Sequence, residues 1–286
     1  MSNIVVFGAS GQLGNCLKTF AEKNAISSIY FPSETEADIL DDQALSEIFG
    51  KYNPSFSINC AAYTAVDKAE DDREIALKIN KTGAENLARR CAKTRSSLIH
   101  ISTDFVFKGD KPASLSEQDV AEPVNVYGQT KLDGEVAVKA ILKEHFIIRT
   151  SWLYSEYGNN FVKTMLKLGA ERDVLKIIVD QAGTPTYAMD LAACVMGVIS
   201  SGSKAYGVYH YSNEGVASWY DFAKAIFDIS GTDVIALPIK TSEYPTKAVR
   251  PAYSVMDKSK IKRTFNIEIP YWRDSLAICI DRLKNM

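Results

Sequence analysis

A tyrosine and a lysine near the middle of the chain have the spacing of an acid–base pair. Tyr127 and Lys131 stand four residues apart in the segment YGQTK, so on a helix they share one face. An ammonium about 4 Å from a phenol favours the phenolate by about 4 kcal/mol at an effective dielectric near 20. The pair therefore predicts that the pKa of Tyr127 falls from about 10 toward neutrality. Such a tyrosine can protonate a carbonyl oxygen as a hydride arrives, or remove the proton in the reverse direction.

A threonine at a strand end completes this arrangement. Thr103 follows the strand-like run Leu98–Ser102, about two dozen residues before Tyr127. Its hydroxyl is well placed to hold the oxygen that receives the proton. YxxxK alone is a weak signal in a chain with 14 tyrosines. Together with a glycine-rich turn it predicts that Thr103, Tyr127 and Lys131 form a catalytic set.

That glycine-rich turn lies between the first predicted strand and the first predicted helix. Gly8, Gly11 and Gly14 are spaced GxxGxxG, unlike the GxGxxG of many dehydrogenases. Glycines let backbone N–H groups approach a pyrophosphate, and a helix N-terminus adds partial positive charge there. The turn predicts dinucleotide binding, and ligands of a parallel sheet lie at the carboxyl ends of its strands. Thr103 and the turn would then face one crevice.

The second predicted strand ends without an acid at its tip, where NAD enzymes often hold the adenosine ribose. Ser33 would accommodate a 2′-phosphate, whereas Glu34 argues against one, and no arginine is nearby. The choice between NADH and NADPH stays open at this stage.

Short apolar runs alternate with amphipathic ones through the first half of the chain. This alternation predicts right-handed crossovers and a parallel sheet covered on both faces, an α/β doubly wound, Rossmann-like fold. We expect residues 1–150 to form the dinucleotide-binding domain. Residues 151–286, where the alternation loosens, would form a smaller, interwoven C-terminal substrate-binding lobe that partly returns to the first domain. The expected strands are 4–7, 28–31, 56–60, 97–102, 146–149 and 175–179, and the expected helices are 14–23, 41–51, 74–93, 127–142, 160–169 and 218–229.

Charge and composition exclude several classes of function. The chain has 286 residues, with 33 Lys and Arg against 35 Asp and Glu, which provides no basic field for nucleic acid. Its longest apolar run, Leu191–Ile199, is too short to span a membrane. Five scattered cysteines predict reduced thiols and a cytoplasmic protein. Three separated histidines argue against a histidine metal site or a Ser-His-Asp triad, so we predict no metal.

Several longer segments carry a family resemblance. The chain resembles the extended short-chain dehydrogenase/reductases and, more narrowly, the dTDP-4-dehydrorhamnose reductase family, over nearly its whole length. The matching segments are GASGQLG (8–14), NCAAYTAVDKAE (59–70), ISTDFVF (101–107), YGQTK (127–131), RTSWLYSEYGNNFVKTML (149–166), DQAGTPT (180–186) and RPAYSVMD (250–257). GASGQLG and YGQTK are general to the superfamily, and the other five segments are more specific.

The resemblance implies NAD(P)H-dependent reduction of the 4-keto group of a nucleotide-linked 6-deoxysugar, with Tyr127 as the proton donor. It also implies that the 4-keto sugar contacts Thr103, Asp104 and Trp152, while Arg250 lies near the nucleotide part of the substrate. The resemblance also implies cofactor contacts, which include the glycine turn and the catalytic pair. The full set is Gly8, Gly11, Gln12, Leu13, Asp38, Ile39, Ala62, Tyr63, Thr64, Tyr127 and Lys131.

The chain departs from some relatives at one point. Those relatives bridge two subunits through a magnesium ion held by glutamates. Here Cys16 takes one glutamate position, and Met189 and Asp190 stand where another is expected. A thiol is a poor ligand for a hard cation. We therefore predict a monomer or a weak homodimer without a magnesium bridge.

Two other functions stay open from the sequence. A sugar-nucleotide epimerase, dehydratase or other reductase would share the fold, but a 4,6-dehydratase usually shows Thr-Asp-Glu where this chain has Thr103, Asp104 and Phe105. A non-catalytic regulatory subunit, like that of methionine adenosyltransferase, resembles the same family. An intact catalytic set does not exclude that second alternative.

Overall fold

A six-stranded parallel sheet forms the centre of the computed structural model, which describes residues 3–286. Its strand order is β10-β5-β4-β3-β1-β2, and every neighbouring pair is parallel. This confirms the predicted doubly wound α/β fold. The strands of the first half are β1 (Ile4–Phe7), β2 (Ile29–Tyr30), β3 (Phe56–Asn59), β4 (Ser97–Thr103) and β5 (His145–Thr150).

Alternate residues of β1 show why helices must cover both faces of this sheet. Ile4 and Val6 pack into one hydrophobic cluster, and Val5 and Phe7 pack into the other. Successive side chains of a strand point to opposite faces, so an uninterrupted apolar strand requires cover on both sides. The first-half helices are α1 (Gln12–Lys23), α2 (Asp42–Tyr52), α3 (Val66–Ala69), α4 (Arg73–Leu77), α5 (Ala84–Thr94) and α6 (Val126–Ile141).

The predicted helix over residues 74–93 is continuous but not uniformly α-helical. A π-helical segment, Lys78–Gly83, separates α4 from α5. A 3₁₀ turn, Asp104–Val106, follows β4 directly. Both irregular segments lie beside the carboxyl edge of the sheet, where the predicted catalytic residues are found.

The second half of the chain returns to the central sheet and also adds three two-stranded sheets. Its strands are β6 (Leu153–Tyr154), β7 (Val174–Ile178), β8 (Ala182–Gly183), β9 (Thr186–Tyr187), β10 (Gly207–His210), β11 (Ala217–Ser218) and β12 (Ile235–Ile239). Its helices are α7 (Phe161–Glu171), α8 (Ala188–Ser200), α9 (Trp219–Ser230), α10 (Ser259–Phe265) and α11 (Trp272–Lys284).

Two of these elements complete the first-half core, and neither was predicted from the sequence. Strand β10 pairs in parallel with β5 at the sheet edge. Helix α8 packs against α1, and it contains the apolar run Leu191–Ile199, most of which is buried. That run is therefore a core helix. Within residues 3–286 no helix has both the length and the apolar character that a membrane span needs.

Candidate active site

The residues singled out by sequence lie at the carboxyl ends of neighbouring parallel strands. The glycine turn follows β1, the loop Ala62–Thr64 lies beyond the end of β3, and Thr103 is the last residue of β4. Trp152 lies two residues beyond β5. Carboxyl ends of parallel strands share one edge of a sheet, so these residues lie along that edge. This edge is the candidate active site.

The glycine turn is built for close backbone approach. Gly8 has a φ of +74°, and a Cβ there would meet the backbone nitrogen of Ala61 at 2.5 Å. Gly11 caps α1 without a side-chain hydrogen bond, so no side chain of the cap satisfies the first amides of the helix. Gln12 and Leu13 are the first two residues of α1, so their backbone N–H groups have no partner within the helix. The turn therefore fits the pyrophosphate of a dinucleotide.

The side chain of Gln12 has a structural task that sequence did not reveal. Its Oε1 accepts hydrogen bonds from Ser155 Oγ (3.1 Å) and Asn160 Nδ2 (3.0 Å). These two residues belong to the second half of the chain. Gln12 thus links the start of α1 to that half, and its backbone N–H is the group suited to a phosphate.

The loop Ala62–Thr64 is held in place by a buried asparagine that sequence reasoning missed. Asn80, in the π-helical segment, accepts from Tyr63 N (2.9 Å) and donates to Tyr63 O (3.1 Å). Its Nδ2 also donates to Thr130 Oγ1 (3.0 Å) on α6. A single side chain therefore joins the predicted cofactor loop to the helix that carries Tyr127 and Lys131.

The other predicted adenosine contacts, Asp38 and Ile39, lie in the loop between β2 and α2. Asp38 Oδ1 accepts from Leu40 N (2.8 Å), so part of that carboxylate is used within its own loop. Ile39 is buried in the core, and its carbonyl accepts from Asn86 Nδ2 (3.0 Å). The exposed Ser10 hydroxyl of the glycine turn donates to Glu34 Oε1 (2.5 Å). Glu34 thus places a carboxylate directly beside the turn.

Thr103, Tyr127 and Lys131 are brought together where α6 begins against the end of β4. Tyr127 is the second residue of α6 and is partly exposed, with its ring edge-on to Phe105 at 5.6 Å. Thr103 Oγ1 donates to Asp104 Oδ1 (3.1 Å). Lys131 is buried, and its Nζ donates to Ile101 O (2.7 Å) on β4.

The electrostatics of Tyr127 differ from the prediction. Burial raises the pKa of its phenol to about 12, the Thr103 hydroxyl opposes this rise, and the Asp104 carboxylate adds to it. Burial also lowers the pKa of Lys131, to about 8, against the opposing charge of Glu135. The prediction that the pKa of Tyr127 falls toward neutrality is therefore wrong. Desolvation is the largest influence on this phenol, and it disfavours the charged phenolate.

Asp104 adds a second buried acid to the site. The side chain is 2% exposed, and its Oδ2 has no hydrogen-bond partner in the protein. Burial raises the pKa of this carboxyl to about 6, although hydrogen bonds from Ser254 and Thr103 oppose the rise. An unsatisfied buried oxygen is costly unless a donor reaches it. Asp104 is thus suited to accept a hydroxyl hydrogen bond from a ligand.

Trp152 is held in a conformation that bulky residues rarely adopt. Its φ is +45°, in the left-handed region. Its ring stacks on Trp219 with centroids 3.5 Å apart and planes 6° apart. Gly183 leaves the necessary space, because a Cβ there would lie 2.7 Å from the Trp152 ring. Backbone strain of this kind is concentrated at functional sites, so it marks Trp152 as a candidate substrate contact.

Arg250 forms an ion pair across the two halves of the chain. Its Nη2 lies 2.6 Å from Asp67 Oδ2, and its Nη1 donates to Asp67 Oδ1 (3.1 Å) and to Ala248 O (2.9 Å). The guanidinium holds the pKa of Asp67 below its usual value. Asp67 belongs to the segment NCAAYTAVDKAE, where sequence reasoning did not single it out. The fork predicted to meet the nucleotide is thus oriented by a carboxylate of α3.

Comparison with known proteins decides the family. Residues 1–285 match the family described as RmlD substrate binding domain. The dTDP-4-dehydrorhamnose reductase of Aggregatibacter actinomycetemcomitans is 38% identical over 286 residues, covering 96% of this chain and 97% of that protein. This chain belongs to the dTDP-4-dehydrorhamnose reductase family.

Solved structures of family members agree with this placement. The crystal structure of a dTDP-4-dehydrorhamnose reductase from Clostridium acetobutylicum superposes with a TM-score of 0.94 at 41% identity, covering 99% of each chain. The dTDP-4-dehydrorhamnose reductase of Bacillus anthracis, solved in complex with NADP, also gives a TM-score of 0.94, at 38% identity over 98% of this chain and 99% of that one. Family membership thus extends over the whole fold and includes both halves of the chain.

Gly183 provides a test of the tryptophan stack. In Gly183→Ala the new Cβ would meet the Trp152 ring, so we expect the two indoles to separate. Their exciton signal in circular dichroism should weaken strongly while the helical signal stays constant. Gly50→Ala is the matched control, because a Cβ at Gly50 meets no atom within 4 Å. An unchanged exciton signal in Gly183→Ala would contradict the packing described for Trp152.

Proposed function

We propose that this chain catalyses the NAD(P)H-dependent reduction of dTDP-4-dehydro-L-rhamnose to dTDP-L-rhamnose. The observation that carries the proposal is the grouping of Thr103, Tyr127 and Lys131 beside the glycine turn, in a chain whose relatives along its whole length are dTDP-4-dehydrorhamnose reductases. The substrate would be a nucleotide sugar, and both ligands would bind at the carboxyl edge of the sheet. Residues 1–150 would bind the dinucleotide, and residues 151–286 would contribute most of the sugar-nucleotide contacts.

The backbone N–H groups of Gln12 and Leu13 would hold the pyrophosphate of the cofactor, beside Gly11, whose own N–H donates to Gly8 O (3.2 Å). Loop Ala62–Thr64 would border its remaining length, and Asp38 and Ile39 would lie near the adenine. The nicotinamide, when bound, supplies the hydride that reduces the carbonyl carbon. The protein supplies the position of the reactants and the acid.

Tyr127 is proposed as that acid. A phenol whose pKa is raised to about 12 carries its proton throughout the neutral range, which is the form needed to donate in the direction of reduction. The proton would pass from Tyr127 Oη to the ketone oxygen, and the Thr103 hydroxyl would hydrogen-bond that oxygen. The phenolate left behind would be stabilised by the ammonium of Lys131, and solvent would restore the proton.

The remaining predicted contacts suit a nucleotide sugar. Asp104 offers an unsatisfied carboxylate oxygen to a sugar hydroxyl, and Trp152 offers a rigid indole face. Arg250 has the planar fork that pairs with diphosphate oxygens, and its bond to Asp67 supports an exchange of one anionic partner for another. Asp67 would hold the guanidinium in place until the substrate arrives.

We propose that no magnesium ion bridges two copies of this protein. Cys16 is fully buried, and burial raises the pKa of its thiol to about 12, so the thiol is protonated. Asp190 already accepts from Ser275 Oγ and Asn213 Nδ2. Within residues 3–286 no group of three or more His, Cys, Asp or Glu side chains could hold a metal. These residues do not fit a hard cation, which supports a monomer or a weak homodimer.

The cysteines also support the proposed cytoplasmic location. All five are free thiols, and four of them are buried. Thiols of this kind persist in reducing compartments.

Removal of the Tyr127 hydroxyl tests the proposed acid. Tyr127→Phe should lower kcat by about 10²-fold or more, because the proton donor is lost. NADPH binding, followed by fluorescence titration, should stay close to that of the unaltered protein. Tyr244→Phe, at an exposed position, is the matched control and should keep full activity. If the unaltered protein oxidises neither NADH nor NADPH with dTDP-4-dehydro-L-rhamnose, the regulatory alternative replaces the proposal.

Glu34 tests the choice of cofactor. Its carboxylate beside the glycine turn would repel a 2′-phosphate, and a unit charge at about 4 Å in water-like surroundings contributes about 1 kcal/mol. Glu34→Gln should therefore raise the ratio of kcat/KM for NADPH to that for NADH by about fivefold. Glu144→Gln is the control, because Glu144 precedes β5 at the amino ends of the strands, away from the glycine turn. It should leave the ratio unchanged. A constant ratio in Glu34→Gln would show that this carboxylate does not face the ribose.

Chelation tests the absence of a metal bridge. Because the thiol and carboxyl groups at the relevant positions are buried or already bonded, we expect EDTA to leave both turnover and sedimentation behaviour unchanged. Added MgCl₂ should not increase the fraction of dimer. Strong loss of activity in EDTA that magnesium restores would refute this proposal.

A further inference from the structure

The helix that carries Tyr127 and Lys131 also contributes to a buried ion pair that the proposed mechanism does not use. Glu135 is fully buried and Arg149 is 3% exposed. Arg149 Nε donates to Glu135 Oε1 (2.9 Å), and Nη2 lies 2.7 Å from Oε2. Among the ion pairs of residues 3–286 this pair is the most buried, with side chains 4% and 0% exposed. A buried pair is weak evidence for stability, so its position in the fold requires another explanation.

The pair is tied to the strand that carries Thr103. Ser102 Oγ donates to Glu135 Oε1 (2.5 Å), and Ser102 is the residue before Thr103 on β4. The residue before Ser102, Ile101, accepts the hydrogen bond of Lys131 Nζ. Three consecutive residues of β4 therefore meet α6 or belong to the catalytic set. Glu135 lies one helical turn beyond Lys131, on the same face of α6.

Glu135 is also the acidic group that acts on Lys131. The other titratable groups that face this lysine are the Cys60 thiol and the His100 imidazole, beyond β3 and on β4. Burial raises the pKa of Cys60 to about 12 and lowers that of His100 well below its usual value, so both are neutral near pH 7. The carboxylate of Glu135 is what opposes the desolvation of the Lys131 ammonium.

We infer that Ser102, Glu135 and Arg149 are positioning residues that fix α6 on the ends of β4 and β5 and keep Lys131 charged for the reaction. Arg149, on β5, binds both oxygens of the Glu135 carboxylate. This bidentate contact fixes the position of the carboxylate relative to Lys131. Ser102 sets the height of α6 against β4, and with it the distance between Thr103 and Tyr127. None of the three touches the reacting atoms.

This inference rests on the proposed reduction, and a pH profile separates the two. In the unaltered protein, kcat/KM should fall as pH rises through about 8, where Lys131 loses the charge that stabilises the phenolate. Glu135→Gln keeps the shape of the side chain but removes the charge that supports Lys131. The fall of kcat/KM in this variant should move to lower pH by about one unit, which gives a loss of about fivefold at pH 8 that acidification restores. We call this fall the alkaline limb of the profile.

Two further variants complete the test. Ser102→Ala keeps the charge of Glu135 but releases it from β4, so kcat/KM should fall about fivefold at every pH, with no movement of the limb. Glu214→Gln is the matched control, because Glu214 pairs with Lys258 and Lys262 outside the site. It should match the unaltered protein throughout. Should Glu135→Gln fail to fold, full activity in Ser102→Ala would by itself refute the inference.

A direct titration removes the dependence on activity. In protein labelled with ¹⁵N at the lysine side chains, the Nζ resonance that disappears in Lys131→Arg identifies Lys131. We expect it to titrate at lower pH in Glu135→Gln than in the unaltered protein. An identical titration in the two proteins would overturn the inference even if the reductase activity is established. If the resonance shifts as expected but no nicotinamide is oxidised, the proposed function fails and the electrostatic role of Glu135 stands.

Discussion

Burial of the central sheet on both faces is the constraint on which the rest of this molecule depends. Strands such as β1 and β5 have no exposed residue, so their interior positions lie within the core. Chemistry is then confined to the carboxyl edge, where the strands end and loops are free to present polar groups. The glycine turn, Thr103 and Trp152 are at this edge because each follows, or ends, a strand that is buried along its length.

The same burial governs the protonation of the site. Desolvation is the largest influence on the pKa of Tyr127, Lys131 and Asp104, and it favours the neutral form of each. Tyr127 is thereby kept as an acid, which suits reduction more than a lowered pKa would. The cost falls on Lys131, whose charge needs support from within the fold. The carboxylate of Glu135, one helical turn beyond Lys131 and bound by Arg149, opposes this loss of charge.

The two halves of the chain are joined by side-chain contacts beside the candidate site. Gln12 at the start of α1 is bonded to Ser155 and Asn160, and Asp67 on α3 is bonded to Arg250. Strand β10 and helix α8 complete the core of the first half. The proposed dinucleotide and sugar-nucleotide sites would therefore lie against each other without a hinge between independent cores.

The sequence by itself determined the fold class, the family and most of the elements of the first half. Apolar runs, glycine spacing and helical periodicity are local patterns, and they are legible wherever each element buries its own face. The proximity of Tyr127 and Lys131 could also be predicted, because both residues lie on one helix. Tertiary structure alone decided that Lys131 bonds to Ile101, that Asn80 anchors Tyr63 and that β10 returns to the sheet edge. These contacts join residues far apart in the chain, and the balance between desolvation and charge depends on what surrounds a group in space, which spacing along the sequence does not encode.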